Sequence, residues 1–244
     1  MAHALGVTRE AMLLGRMGDP APAGFAALAE RRAAHEPVAY ITGRRAFWTI
    51  ELQVGPGVLV PRADSETLIE AALAHFGGRA PGRILDLGTG PGTLLLAALD
   101  QWPEATGLGV DASSEALEYA EANARTLGLA DRAAFRRADW ADGSHERFDL
   151  VLANPPYIAA DEALPREVGA FEPAQALFAG ADGLDDYRRI APALPRLLAP
   201  GGIACIEIGA AQADAVRALL AAQGLKTNLY QDLGGRDRCV TATP

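Results

Sequence analysis

Apolar residues in this chain fall into short runs of strand length that alternate with segments of helical spacing. From residue 83 onward the first four runs cover 83–87, 105–110, 133–138 and 148–153, and the alternation continues to the end of the chain. Strands that alternate with helices favour a parallel sheet whose two faces are covered by helices. We therefore predict an α/β protein with a doubly wound, mostly parallel sheet.

The chain before this alternating region is organised differently. Apolar positions repeat with helical spacing over 8–17 and 22–35, which predicts two helices. The run 46–54, the break at 55–57 and the run 58–60 predict a β-hairpin, because glycine and proline favour the turn between two strands. A further helix is expected from about Ala63 to Phe76, where two glycines follow.

These features divide the chain into three predicted parts. They are a short helical region at 1–45, a hairpin linker at 46–62 and a main α/β domain at 63–244. Within the main domain, residues 158–183 have no clear period, and the next predicted helix covers 184–198. Loops of that length in compact domains usually carry a function, so we expect this one to cover a binding site.

Composition excludes several classes of protein. The chain has 244 residues, 50% of them hydrophobic, with a formal net charge of −9 and two cysteines. Its apolar runs are too short for a membrane span and its first residues lack a signal-peptide pattern, so a soluble cytoplasmic protein is expected. Basic residues occur as scattered pairs, which does not favour stable nucleic-acid binding. The two cysteines predict neither a disulfide framework nor a metal site.

A glycine-rich turn follows the strand predicted at 83–87. Its residues are Gly88, Thr89, Gly90, Pro91 and Gly92, and a segment of helical spacing comes next. Glycines there let the backbone turn sharply and approach a ligand closely. The spacing differs from the G-x-G-x-x-G of dinucleotide-binding folds, and no lysine-bearing phosphate loop is present.

The next two strands end in side chains suited to a nucleoside. Asp111 at the end of the second strand can accept hydrogen bonds from both hydroxyls of a ribose. Asp139 and Trp140 follow the third strand and offer an acid and an aromatic face for an adenine. Because carboxyl ends of parallel strands meet at one edge, these residues predict a nucleoside site there.

The strand at 148–153 ends in the motif Asn154-Pro155-Pro156-Tyr157. The simplest interpretation is a tight turn, since Asn and Pro favour turns for local reasons. The alternative is a grip on a planar nitrogen, in which the Asn154 oxygen and the Pro155 carbonyl each accept one N–H and Tyr157 walls the plane. Together with the glycine turn, which Asn154 is expected to adjoin, the motif indicates an S-adenosylmethionine-dependent methyltransferase acting on a planar nitrogen.

Several further segments match one known family in order and spacing. They are 36–43, 58–66, 171–173, 206–209 and 232–238. With the two motifs above, the chain resembles the protein-(glutamine amide) methyltransferases of the PrmC/HemK group. The resemblance implies a seven-stranded Rossmann-like sheet, with S-adenosylmethionine as methyl donor and S-adenosylhomocysteine as product. It also implies a cytoplasmic monomer whose partners are class I peptide chain release factors, methylated on the glutamine of their Gly-Gly-Gln motif.

The chain departs from the family pattern at a few positions. The family commonly has proline and threonine where this chain has Ala63 and Ser65, and a small or hydroxyl residue where it has Pro91. It usually carries a fuller helical domain before the segment at 36–43. We expect a shorter docking region to weaken encounter with the whole release factor while leaving the glutamine site undisturbed.

Other polar residues near these motifs are open to two interpretations. Arg62 and Glu66 match the family's pre-domain motif and either line the substrate mouth or form an ion pair that fixes the hairpin. Glu207 ends an apolar strand near the site, and a structural role is slightly preferred. Asp86 is expected to order the glycine turn. The histidines lie outside the strand ends and are read as structural or exposed; they are His3, His35, His75 and His145.

Alternative functions stay open at this point. The same motif would suit a methyltransferase of a ribosomal-protein glutamine or of an adenine amino group in nucleic acid. An adenine enzyme would be expected to carry a target-reading domain and a basic surface, and neither is visible. A non-catalytic module that binds the nucleoside has no need of two aligned acceptors, so Asn154 and Pro155 argue against it.

Overall fold

The computed structural model describes residues 1–244 and contains nine strands and eleven α-helices. The strands are β1 (Arg44–Phe47), β2 (Ile50–Gln53), β3 (Arg83–Leu87), β4 (Thr106–Asp111), β5 (Ala133–Arg137), β6 (Phe148–Ala153), β7 (Leu198–Glu207), β8 (Lys226–Gln231) and β9 (Asp237–Thr243). The first two pair as an antiparallel hairpin. The other seven form one sheet in the order β5-β4-β3-β6-β7-β9-β8, and only β9 runs antiparallel to its neighbours. The predicted mostly parallel seven-stranded sheet is confirmed.

The helices precede, separate and cover the strands. They are α1 (Ala2–Leu5), α2 (Arg9–Gly15), α3 (Phe25–Ala33), α4 (Val38–Thr42), α5 (Glu66–Phe76), α6 (Thr93–Gln101), α7 (Ser114–Thr126), α8 (Arg166–Gly169), α9 (Asp185–Ile190), α10 (Leu194–Leu197) and α11 (Ala213–Ala221). None of them is long and apolar enough to cross a lipid bilayer.

Alternation along the central strands fills two cores, one on each face of the sheet. In β3, Ile84 packs into the core on one face, while Leu85 and Leu87 pack into the core on the other. Strand β6 alternates in the same way, because successive side chains of a strand point to opposite faces. Both faces are therefore buried, and polar chemistry is left to the strand ends.

The position of the predicted hairpin is wrong. Its turn lies at Trp48 and Thr49, where β1 meets β2, and residues 58–60 form no strand. Trp48 adopts a φ of 52°, which bulky residues rarely do, so no local signal marked the turn. The Glu66 carboxylate holds it by accepting the Trp48 backbone N–H at 2.9 Å. Residues 58–60 are an extended segment instead, with Val58 and Val60 buried in the core.

The single helix predicted at 184–198 is also wrong in detail. The segment consists of α9, a 3₁₀ turn at Ala191–Ala193 and the short α10. Pro192 and Pro195 lack the backbone N–H that a continuous helix would use, so the chain tightens and changes direction between them. Residues 158–183, predicted as an irregular loop, include α8 and a 3₁₀ turn at Ala174–Ala176.

Candidate active site

Two cavities meet at the carboxyl ends of the central strands. The first has a volume of about 240 Å³ and is walled by the turn after β3, the end of β4 and the residues after β5 and β6. The second has about 180 Å³ and lies between the β6 end, Glu207 and the segment 158–177. Asn154 and Arg62 line both cavities.

Most of the residues singled out from the sequence lie around these cavities. Those lining the first are Arg62, Gly88, Thr89, Gly90, Pro91, Asp111, Asp139, Trp140, Asn154 and Pro156. Tyr157 lines the second. Three lie off both linings: Gly92 ends the turn at the start of α6, Pro155 is buried behind the motif, and Glu66 is at the hairpin.

The glycine turn presents bare backbone to the first cavity. Gly90 has a φ of 54°, and a Cβ atom built there would meet no atom within 4 Å. The turn is tied down from below by Asp86, whose Oδ2 accepts the Thr89 hydroxyl at 2.7 Å and the Leu95 N–H at 3.1 Å. Asp86 therefore orders the turn, as expected. Because Gly90 has no side chain, the space next to its backbone is open to a ligand.

Asp86 is fully buried and strongly perturbed. Burial raises the pKa of its carboxyl to about 7, and its hydrogen bonds with Thr89 and Leu95 oppose that rise. Its Oδ1 has no hydrogen-bond partner within the protein. Because an unpartnered buried oxygen is costly, Oδ1 marks a position where a polar ligand group would be stabilised.

The raised pKa of Asp86 predicts how stability depends on pH. A carboxyl that ionises near pH 4 when unfolded and near pH 7 when folded binds its proton more tightly in the native state. Its contribution to the unfolding free energy is present below pH 4 and is lost as pH rises to 7. Asp86→Asn should shrink the loss of stability between pH 5 and pH 8 by on the order of a few kcal/mol, measured by urea unfolding.

The control for this experiment is Asp131→Asn, since Asp131 is exposed on the surface before β5. Asp131→Asn should leave the difference in unfolding free energy between pH 5 and pH 8 as it is in the parent. An Asp86→Asn protein with the parental difference would contradict the prediction.

Asp111 supports the glycine turn as well as facing the cavity. Its Oδ2 accepts the Gly90 N–H at 2.8 Å and its Oδ1 accepts the Ser113 N–H at 2.9 Å. Each carboxylate oxygen has a further lone pair, so the side chain can still accept from a ligand in the cavity. The predicted ribose acceptor is thus held rigidly by two backbone donors.

The far wall of the first cavity contains a pairing that the sequence did not suggest. Asp139 forms an ion pair with Arg189, and the Trp140 Nε1–H donates to Asp186 at 3.1 Å. Trp140 has a φ of 49°, and a Cβ on Gly88 would come within 3.1 Å of its ring. Arg189 and Asp186 come from α9, so the helix after the irregular segment completes this wall.

The motif after β6 contains two free acceptors, and one of them belongs to Asn154, which lines both cavities. Asn154 donates from Nδ2 to the Ser65 Oγ at 3.1 Å. No donor within the protein bonds Asn154 Oδ1 or the carbonyl of Pro155. The Asn154 oxygen is therefore available to a ligand in the cavities, and the adjacent Pro155 carbonyl keeps its hydrogen-bonding capacity unused within the protein.

Tyr157 and Glu207 lie next to each other in the wall of the second cavity. The Tyr157 hydroxyl lies 3.5 Å from Glu207 Oε1, and burial raises the pKa of Tyr157 to about 12. The Tyr157 carbonyl accepts Gln212 Nε2–H at 2.9 Å, which fixes the backbone at the end of the motif. The aromatic ring is thus held as one wall of the second cavity.

Arg62 and Glu66 do not form the ion pair that was one of two interpretations for them. Arg62 pairs with Glu172 instead, and Glu66 holds the hairpin turn. The Glu172 carboxylate is buried and also accepts the Val60 N–H at 3.0 Å. This contact anchors the segment 158–183 to the chain before α5, so that α8 and the 3₁₀ turn at Ala174–Ala176 remain over the cavities.

Removing Arg62 should destabilise the fold. Arg62→Ala leaves the Glu172 carboxylate buried with only a backbone donor, at a cost of about 1–2 kcal/mol after discounting the partial exposure of Arg62. Thermal unfolding should then occur a few degrees lower. Arg44→Ala, which removes the exposed Arg44–Glu51 pair, should change the midpoint very little; equal shifts for the two variants would contradict the prediction.

Comparison with known proteins places this geometry among methyltransferases. A family model described as a methyltransferase domain matches residues 80–233, and one described as the PrmC N-terminal domain matches residues 1–43. The release factor glutamine methyltransferase of Rhodospirillum rubrum is 46% identical, over 98% of this chain and 75% of that protein. The protein of the same name from Caulobacter vibrioides is 47% identical, over 86% of this chain and 74% of that protein.

Solved structures share the fold at lower sequence identity. A methyltransferase from Pyrococcus furiosus superposes with a TM-score of 0.61 at 13% identity, covering 89% of this chain and 98% of that one. The Thermus thermophilus 16S rRNA N2 G1207 methyltransferase, solved with AdoMet and guanosine, gives a TM-score of 0.58 at 19% identity. The match covers 82% of this chain and 49% of that one. These likenesses establish the architecture.

Proposed function

Because this chain belongs to the family of release factor glutamine methyltransferases, we propose that it methylates the glutamine of the Gly-Gly-Gln motif in class I release factors. S-adenosylmethionine is the methyl donor and S-adenosylhomocysteine the product. The observation that carries the proposal is the free acceptor Asn154 Oδ1 in the lining of both cavities, with the unpartnered Pro155 carbonyl next to it along the chain. The enzyme acts as a cytoplasmic monomer without stable binding to nucleic acid.

The first cavity fits the cofactor by the chemistry of its lining. Asp111 offers acceptor lone pairs for ribose hydroxyls, and Trp140 with Asp139 offers a face and an edge for the adenine. The bare backbone at Gly90 and the unpartnered Asp86 Oδ1 suit the polar methionine end. These residues would hold S-adenosylmethionine, which supplies an electrophilic sulfonium methyl group when bound.

The second cavity fits the side chain of glutamine. It is narrow and mostly apolar along the segment 158–177, with Leu164, Val168 and Leu177 in its lining. The polar side chains in its lining are those of Arg62, Asn154, Tyr157 and Glu207. An apolar slot with acceptors in its lining suits an aliphatic stem with a terminal amide.

Alignment is the main task of the residues at the junction. An amide nitrogen is a poor nucleophile because its lone pair is delocalised into the carbonyl. Asn154 Oδ1 and the Pro155 carbonyl each accept one N–H of the glutamine, and Tyr157 packs against the amide plane. Well-oriented reactants can gain on the order of 7–11 kcal/mol over free encounter.

The same two acceptors assist the transfer itself. Positive charge develops on the glutamine nitrogen as the new bond forms, and both acceptors then bind its protons more strongly than in the ground state. The nitrogen returns to a neutral amide when it loses one proton after the transfer. A strong general base is therefore not required.

A methyl-transfer assay tests the proposal. The purified enzyme is incubated with isotope-labelled S-adenosylmethionine and a class I release factor, followed by mass mapping of the labelled peptide. Label on the glutamine of the Gly-Gly-Gln motif is expected, and a release factor with that glutamine replaced by alanine should take up none. Ribosomal proteins and adenine-containing DNA are assayed in parallel, and preferential labelling of either would overturn the assignment.

A further inference from the structure

A buried carboxylate lies directly beside the two motif side chains. Strand β7 pairs in parallel with β6, and Ala153 at the end of β6 is opposite Ile206. The residues that follow these two, Asn154 and Glu207, are therefore neighbours at the carboxyl ends of the strands. Glu207 is 1% exposed, and it lines the second cavity. Its Oε2 has no hydrogen-bond partner. The proposed reaction gives this carboxylate no task.

Ser65 links this carboxylate to Asn154. Its Oγ accepts the Asn154 Nδ2–H at 3.1 Å, and the side chain is 2% exposed. The Ser65 hydroxyl is also close enough to Glu207 to oppose the rise that burial causes in the pKa of its carboxyl. Three polar side chains from separate parts of the sequence thus lie in a row, two of them buried and the third, Asn154, open to the cavities.

The direction of hydrogen bonding along this row is set by its charged end. An ionised carboxylate can only accept hydrogen bonds, so a hydroxyl that interacts with it must donate its single proton to it. The Ser65 oxygen is then left with lone pairs alone and accepts from its other neighbour. Only the Nδ2 side of the Asn154 amide can donate, and Oδ1 must therefore face the cavity.

We propose that Glu207 and Ser65 are positioning residues that keep the Asn154 amide turned with its oxygen toward the substrate nitrogen. The inference rests on the proposed function, because it explains how a neighbouring pair of residues keeps Asn154 in the acceptor role proposed there. The same carboxylate faces the Tyr157 hydroxyl at 3.5 Å and so orients both polar side chains of the motif. Glu207 itself touches no reacting atom.

Protonation of Glu207 would remove this constraint on the orientation of the Asn154 amide. A neutral carboxyl can donate to Ser65, which then can donate to Asn154 and allow the amide to turn over. Burial raises the pKa of Glu207 to about 7. Its charged and titratable neighbours on the elements packed around it are Arg238 and Cys239 on β9, Asp64 before α5, Tyr157 after β6 and Tyr187 on α9. The rate at saturation should therefore fall as pH drops below about 7.

The test compares four variants at saturating substrate. Glu207→Gln and Ser65→Ala should lower kcat by about 10- to 100-fold, the scale for misplacing an aligned group, with cofactor affinity close to parental by calorimetry. Ser65→Thr keeps the hydroxyl and should restore most of the rate. Asp149→Asn is the matched control, since Asp149 is on β6 and accepts the Gly82 and Arg83 N–H groups at the opposite end of the sheet; its kcat should be parental.

The pH profile separates positioning from a merely structural role. The parent should lose kcat on the acid side with an apparent pKa near 7, and Glu207→Gln should be flat there. Parental kcat for Ser65→Ala, or an unchanged acid limb in Glu207→Gln, would overturn the inference. Should Glu207→Gln not fold, the contrast between Ser65→Ala and Ser65→Thr decides alone. Failure of the parent to methylate any release factor would instead count against the proposed function.

Discussion

Asn154→Ala is expected to lower kcat for release factor methylation by about 10²–10³, the scale for losing one aligned polar group. The affinity for S-adenosylmethionine should stay within a few-fold, because the glycine turn and Asp111 bind most of that ligand. The reason for the large effect is that Asn154 Oδ1, which accepts no hydrogen bond within the protein, is proposed as one of two acceptors for the glutamine nitrogen. Steady-state kinetics at saturating cofactor, with calorimetry of cofactor binding, would measure both quantities.

Two further variants sharpen this experiment. Tyr157→Ala should raise KM for the release factor more than Asn154→Ala does, since Tyr157 walls the second cavity without bonding the nitrogen. Asn228→Ala changes an exposed residue on the outermost strand, β8, and should have parental kinetics. If Asn154→Ala methylated the release factor at the parental rate, the acceptor role of the motif would have to be abandoned.

Asp111→Ala should weaken cofactor binding by roughly 10- to 150-fold, the equivalent of about 1.5–3 kcal/mol for hydrogen bonds to a charged group. The carboxylate both holds Gly90 at 2.8 Å and presents acceptors to the cavity, so its loss loosens the turn as well as removing ribose contacts. Calorimetry with S-adenosylmethionine and S-adenosylhomocysteine would measure the change, and Asp131→Ala on the exposed surface before β5 is the control.

The same calorimetry is also carried out with nicotinamide adenine dinucleotide, the ligand of the alternative nucleotide-binding fold. The parent should bind the two sulfur nucleosides with dissociation constants in the micromolar range that is common for enzyme ligands. Selective binding of the dinucleotide would show that the glycine turn had been misread. Unchanged sulfur-nucleoside affinity in Asp111→Ala would show that its carboxylate contributes nothing to the site.

The part of the site that follows strand ends could be predicted from the sequence. Gly90, Asp111, Trp140 and Asn154 each come directly after or at the end of an apolar run, and parallel strands bring such positions to one edge. Predicting the position of each residue thus required only the local sequence pattern and the rule that the carboxyl ends of parallel strands lie together. No knowledge of side-chain packing was needed for these residues.

The partners of those residues could not be predicted. Arg189 pairs with Asp139 across fifty positions, Glu172 with Arg62 across 110, and Ser65 with Asn154 across 89. Arg189 belongs to one of the scattered basic pairs, for which no partner was predicted. Pairings of this kind depend on how helices and loops pack over the sheet, for which a single sequence has no periodic signal.

The hairpin failed for a different reason. Gly55, Pro56 and Gly57 are typical turn residues, so the turn was placed there, while the actual turn uses Trp48 in a left-handed conformation. The Trp48 N–H is held by Glu66, and its indole Nε1–H donates to Gln101 on α6 at 3.2 Å. Tertiary contacts from two helices of the main domain thus outweighed local preference.

The first three helices contain no buried residue, whereas the segment from Ala39 to Val60 contributes eight side chains to the main core. Substitutions in α1, α2 and α3 are therefore expected to cost little folding stability, while those at the buried positions between Ala39 and Val60 are expected to cost more. The surface of these three helices can therefore change in evolution without altering the catalytic sheet. Sequence change in the first helices and conservation of the catalytic sheet are thus compatible within one chain.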